Sequence, residues 1–138
     1  MKNEVEERPK IIIADDHPAT RTLISALLQQ LGYDDIFLAR NGREALEQLK
    51  LAQLKKETYD LILSDWDMPE MDGLTLWTKI SEDDALKNIP FVLITAMKEI
   101  EMVKKAISVG VTDYIVKPIT LHALTNKVAR ALNKKPKT

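Results

Sequence analysis

The sequence predicts an α/β fold: a single (βα)5 domain with a doubly wound, five-stranded parallel sheet and helices on both faces. Three observations carry this. Five short apolar runs are separated by segments with helical spacing. The two patterns alternate strictly, which implies βαβ units and crossover connections. The runs are apolar without a break, the habit of parallel strands covered on both sides. A chain of 138 residues fits one such domain and is too short for two comfortable cores.

The first strand is Ile11 to Ala14. Leu23, Leu27, Leu28 and Leu31 then recur at spacings near a helical turn, and Gly32 reads as the stop. Ile36 to Ala39 is the second strand, and a helix follows from Asn41 to about Lys56 on Ala45, Leu46, Leu49 and Leu54. Leu61 to Ser64 is the third strand, and its helix carries Leu74, Trp77 and Ile80. Phe91 to Thr95 is the fourth, followed by Val103, Ala106 and Ile107 with Gly110 as terminator. Tyr114 to Val116 is the fifth. The last helix carries Leu121, Leu124, Val128 and Leu132, with Thr120 as its N-cap. Residues 1–8 and 134–138 read as charged, solvated tails around a domain spanning 9–133.

Composition excludes several classes. Lys plus Arg is 20 and Asp plus Glu is 21, a formal net charge of −1. Such a chain has no global field for nucleic acid or an anionic membrane. It contains no cysteine, so disulfides, thiolate zinc sites and cysteine nucleophiles are out. That suits a reducing cytoplasm. The charged start from Met1 to Lys10 does not read as a signal peptide, and no apolar run is long enough for a membrane span.

Ligands of open parallel sheets bind beyond the carboxyl ends of the strands. Asp15 and Asp16 follow the first strand, Asp65 the third, Thr95 closes the fourth, and Lys117-Pro118 follows the fifth. Each has a plain structural reading: helix caps for the aspartates and Thr95, a surface position for Lys117. Their joint placement points elsewhere. Clustered carboxylates repel one another unless a cation holds them. Oxygen ligands suit Mg²⁺, with Mn²⁺ as the other fit. A carboxylate, a hard metal, a hydroxyl and an ammonium can together handle a phosphoryl group, and a carboxylate can accept one covalently.

These motifs resemble the receiver domain of the response-regulator family, most closely its single-domain chemotaxis type. The matching residues are Asp15-Asp16, then Ser64-Asp65-Trp66-Asp67-Met68-Pro69 leading into Met71-Asp72-Gly73, then Thr95-Ala96, and Tyr114 ahead of Val116-Lys117-Pro118. The resemblance implies the flavodoxin-like strand order 2-1-3-4-5, which periodicity alone does not give. It implies Asp65 as phosphoacceptor, with Mg²⁺ held by the side chains of Asp16 and Asp65, by Asp15 through water, and by the backbone carbonyl of Asp67. It assigns Thr95 and Lys117 to phosphoryl oxygens and Tyr114 to the switch, and it implies a cis Lys117-Pro118 bond.

It further implies a cytoplasmic, monomeric phosphorelay protein, phosphorylated by a sensor histidine kinase, with self-catalysed dephosphorylation and a possible phosphatase. The output partner, a flagellar motor switch or another protein, would meet the face of the fourth helix, fifth strand and fifth helix. Here that face is Val103, Ile107, Val111, Tyr114 and Lys127. With no output domain after residue 138, the signal is expected to leave through that partner.

Two positions and the length of one helix depart from the chemotaxis pattern. Asp67 replaces an amide and is expected at the rim of the site, where a fourth carboxylate raises the negative potential. Met97 stands where a polar or charged residue is common. These two positions tune phosphoryl lifetime in the family. The second helix is longer than in the chemotaxis members. His17, after the acidic pair, reads as a pocket-edge residue. Rival readings are a phosphorelay intermediate that passes its phosphate to another histidine, and a haloacid-dehalogenase-type phosphatase suggested by Asp65-Trp66-Asp67. The second is opposed by an acidic pair that precedes the nucleophile. A flavodoxin-like electron carrier is opposed by acidic residues where an FMN phosphate would sit.

Overall fold

The structure is a computed structural model, and it describes residues 8–134. The predicted tails therefore fall largely outside the described residues; Arg8 alone belongs to the first of them and pairs with Asp34 at 2.6 Å.

The elements run β1 (Lys10–Ala14), α1 (Pro18–Gln30), β2 (Asp35–Ala39), α2 (Gly42–Leu54), β3 (Leu61–Asp65), α3 (Gly73–Ser81), β4 (Phe91–Thr95), α4 (Ile100–Ser108), β5 (Asp113–Val116) and α5 (Leu121–Lys134). A 3₁₀ turn, Met97–Glu99, joins β4 to α4 and was not legible from periodicity. All strands pair in parallel, in the order β2-β1-β3-β4-β5. The chain leaves β1 toward β2 on one side and returns to β3 on the other. This reversal opens a crevice between the carboxyl ends of β1 and β3.

Alternation along the strands divides the core in two. Ile12, Ile62 and Leu93 pack with Ala45, Leu49, Leu76, Ile80, Val103 and Ala106 of α2, α3 and α4. Ile11, Ile13, Leu63, Val92 and Ile94 pack with Ile24, Leu28, Leu124 and Val128 of α1 and α5. Burying these branched side chains on both faces supplies most of the drive to fold.

The helix signals worked as read. Asn41 and Thr120 accept hydrogen bonds from the Glu44 and Ala123 amides at 2.8 and 3.1 Å. Gly32, at φ +96, ends α1, and the Tyr33 amide donates back to the Leu28 carbonyl. Four readings need correction. β2 is an edge strand and leaves Leu38 40% exposed, so only β1, β3 and β4 are covered as expected. The core stripe of α1 is Ile24 and Leu28, while Leu23 faces solvent. α2 ends at Leu54, itself 81% exposed, because Lys56 turns into the left-handed region at φ 60. Val103 and Val111, expected on the output face, are buried: the helical phase that docks α4 on the sheet points Val103 inward, and the turn after Gly110 folds Val111 back into the core, its amide donating to the Ala106 carbonyl.

Candidate functional site

Register brings the site together. Ala14 lies opposite Ser64, Asp65 opposite Ile94, and Thr95 opposite Val116. Asp15, Asp65, Thr95 and Lys117 therefore emerge side by side along one sheet edge. Asp15, Asp65 and Thr95 are all buried. The Lys117 amide donates to the Thr95 carbonyl at 2.7 Å, extending the β4–β5 pairing to the lysine itself. The Lys117-Pro118 bond is cis, as the resemblance implied.

The carboxylates crowd. Ligand atoms of Asp15, Asp16, His17 and Asp65 all lie within 4.8 Å of one another. Nζ of Lys117 reaches Oδ1 of Asp65 at 3.1 Å. Burial pushes the Asp65 carboxyl up to about 6, and the charge of Asp15 adds to this. The hydrogen bond and charge of Lys117 oppose it, and Asp16 contributes a further rise. Three carboxylates thus face one ammonium. None of these three aspartates is a helix N-cap: His17 is the N-cap residue of α1, with Pro18 following at its start.

Two oxygens have no hydrogen-bond partner although buried: Oδ2 of Asp15 and Oδ1 of Asp16. Unpaired buried carboxylate oxygens are costly, and a cation is what would satisfy them. The donor set is almost wholly oxygen, so it fits a hard divalent ion. His17 lies at the pocket edge. Its Nδ1 is 3.3 Å from Asp16 and 3.4 Å from Asp15, but its side chain is 64% exposed.

The remaining predicted residues fall into groups. Asp67 is exposed, and its carboxylate is outside the acidic cluster. Met97 is exposed. Tyr114 and Ile107 are half-buried against the α2–α4 side of the core. Lys127 pairs with Asp113 at 2.8 Å and places its ammonium 4.9 Å from the Tyr114 ring centre. Sequence reasoning missed two contacts at the site. Arg21 donates to the Asp15 carbonyl at 2.7 Å. The Thr95 hydroxyl donates to Oε1 of Glu99 at 2.8 Å. The second carried a signal, a Glu three residues after Ala96, the spacing of a reciprocal helix cap.

Comparison with known proteins bears on this geometry. The family model described as the response regulator receiver domain matches residues 11–129. Chemotaxis protein CheY-3 of Vibrio cholerae is 36% identical over 128 residues, covering 93% of this chain and 95% of that protein. Chemotaxis protein CheY1 of Helicobacter pylori is 38% identical over 119 residues, covering 86% and 93%. The crystal structure of the signal receiver domain of a signal transduction histidine kinase from Syntrophus aciditrophicus has a TM-score of 0.81. It is 33% identical and covers 94% of each chain. A receiver match across the acidic pair, Asp65, Thr95 and Lys117 sets aside the phosphatase and electron-carrier readings. Fold, strand-end chemistry and relatives agree: the chain belongs to the response regulator receiver domain family of two-component signalling systems.

Proposed function

We propose that Asp65 is the phosphoacceptor, taking a phosphoryl group from a histidine kinase in a Mg²⁺-dependent transfer that changes what the chain binds. The observation that carries this is a buried Asp65 held 3.1 Å from Lys117 beside two buried oxygens of Asp15 and Asp16 that accept no hydrogen bond. An oxygen of Asp65 attacks the phosphorus as the bond to the donor imidazole nitrogen breaks. Lys117 offsets charge on one phosphoryl oxygen, and the Thr95 hydroxyl donates to another. Asp15, Asp16, Asp65 and the Asp67 carbonyl would hold Mg²⁺, with Mn²⁺ as substitute. When bound, the ion supplies positive charge against the incoming phosphoryl oxygens.

The output is of chemotaxis type. Support comes from the two chemotaxis relatives, each matched over more than nine-tenths of its length. The face that changes lies on α4, β5 and α5. Burial moves its centre from Val103 and Val111 to Tyr114, Ile107 and Lys127. Tyr114 reports the state of Thr95 along β5, two residues before Val116, the partner of Thr95 across the β4–β5 pairing. Asp67 and Met97, both exposed, set phosphoryl lifetime. The domain, residues 9–133, works as a cytoplasmic monomer.

Intact mass after brief incubation with acetyl phosphate and Mg²⁺ tests the assignment. One added phosphoryl group is expected in the parent and none in Asp65→Asn. Unchanged labelling of the variant would sink it.

A further inference from the structure

The Thr95 hydroxyl has one proton to give. In this structure its nearer acceptor is Oε1 of Glu99 at 2.8 Å, with the Ala96 carbonyl a longer alternative at 3.2 Å. The same oxygen accepts the Ala96 amide at 3.1 Å, and the Glu99 amide donates back to the Ala96 carbonyl at 3.0 Å. Glu99 thus closes a small ring over the 3₁₀ turn that begins α4. A carboxylate is well placed at a helix start, where backbone N–H groups are unpaired. Thr95 is fully buried, so no water competes for its hydroxyl as freely as at a surface.

We propose that Glu99 is a positioning residue: it holds the Thr95 hydroxyl in the unphosphorylated chain and must release it before Thr95 can bind a phosphoryl oxygen. This rests on the reading of Thr95 as a phosphoryl ligand. One hydroxyl cannot donate fully to a carboxylate and a phosphoryl group together, and two anions converging on it repel each other. Release of Glu99 also removes its cap on Ala96. The hydroxyl's change of partner thereby loosens the turn Met97–Glu99 and the start of α4. The acceptor pocket and the output face are then coupled through a side chain that touches neither Asp65 nor a partner protein. No bond other than hydrogen bonds is exchanged.

Beryllofluoride with Mg²⁺ stands in for the phosphoryl group, and its titration gives the test. A charge-assisted hydrogen bond opposes binding in the parent, so Glu99→Ala is expected to bind about tenfold more tightly. Glu99→Gln keeps an acceptor for Thr95 and Ala96 without the charge, and should gain about threefold. It also carries the test if the alanine variant folds poorly. In a Thr95→Val background both gains should vanish. A merely structural Glu99 would lower the unfolding midpoint and leave beryllofluoride affinity unchanged or weaker. Equal or weaker binding by Glu99→Gln, or a gain that persists without the Thr95 hydroxyl, overturns the proposal alone. A parent that takes up no beryllofluoride overturns the acceptor reading and this proposal with it.

Discussion

Lys117 stands 3.1 Å from Asp65, yet the ammonium does not bring the carboxyl back to its ordinary range. Burial comes first among the causes, then the charge of Asp15, and together they outweigh the lysine. The pair is therefore electrostatically incomplete. Its deficit is positive charge, and the two unpaired oxygens beside it mark where more could sit.

The sign of the resulting pH dependence follows from an Asp65 carboxyl raised from 3.8 to about 6. Between those values the folded chain keeps a proton that the unfolded chain has released. Stability therefore falls as pH rises through this window, and above it the ionised Asp65 is a standing cost. Asp65→Asn removes that cost. Without Mg²⁺ it should be more stable than the parent by about 1–2 kcal/mol at pH 8, the gain fading toward pH 4. In the parent, protons compete with the ion, so Mg²⁺ affinity should fall as pH drops below about 6. Denaturant unfolding with chelator at several pH values decides the first half, and calorimetric titration the second. An Asp65→Asn protein no more stable than the parent at pH 8 would show that the buried charge is already compensated.

Asp16 and Asp67 set a proposed side-chain ligand against a rim carboxylate. Asp16 has a buried oxygen that accepts no hydrogen bond inside the acidic cluster, with only the exposed His17 ring 3.3 Å away, while Asp67 is exposed and outside the cluster. Asp16→Asn should weaken Mg²⁺ binding by at least about tenfold, because it removes a direct ligand charge. Asp67→Asn should cost less than about threefold, since water screens a rim charge. Parallel Mg²⁺ titrations check this. Equal losses would place the Asp67 carboxylate at the ion.

The sheet and the site were legible for one shared reason. Parallel strands bury continuous apolar runs, so their ends are visible, and Asp15, Asp65, Thr95 and Lys117 are strand-end residues. What lay beyond the strand ends was not. Periodicity gives an apolar stripe but not its phase against the sheet, so Val103 was misplaced on the surface, and Val111, in the loop after α4, has no period to place it. Strand order decides that β2 is an edge, and no local pattern encodes strand order. Glu99 reaches Thr95 across a strand-to-turn junction, where neither the period of two nor that of 3.6 applies. Lys127 meets Asp113 and Tyr114 from a different element, a contact only the packing of α5 on β5 creates.

Gly73 sets how closely α3 can approach the acceptor strand. A Cβ there would stand 2.5 Å from the carbonyl oxygen of Asp65 and 2.8 Å from Cδ2 of Leu93. The first neighbour is backbone and cannot swing aside. The Gly73 amide donates to the Trp66 carbonyl at 2.9 Å and closes the loop that follows Asp65. The motif Met71-Asp72-Gly73 is thereby explained: Asp72 caps α3 through the Thr75 amide, and Gly73 supplies the room. Gly73→Ala should destabilise by about 1–3 kcal/mol, because relief of the clash must move either α3 or the end of β3. Moving the end of β3 shifts Asp65 relative to Asp15 and Lys117, so labelling by acetyl phosphate should slow by about tenfold. Urea unfolding and initial labelling rates under saturating Mg²⁺ measure the two effects separately. A variant with parent-like stability and rate would show that the loop yields without cost and that Gly73 is not the spacer.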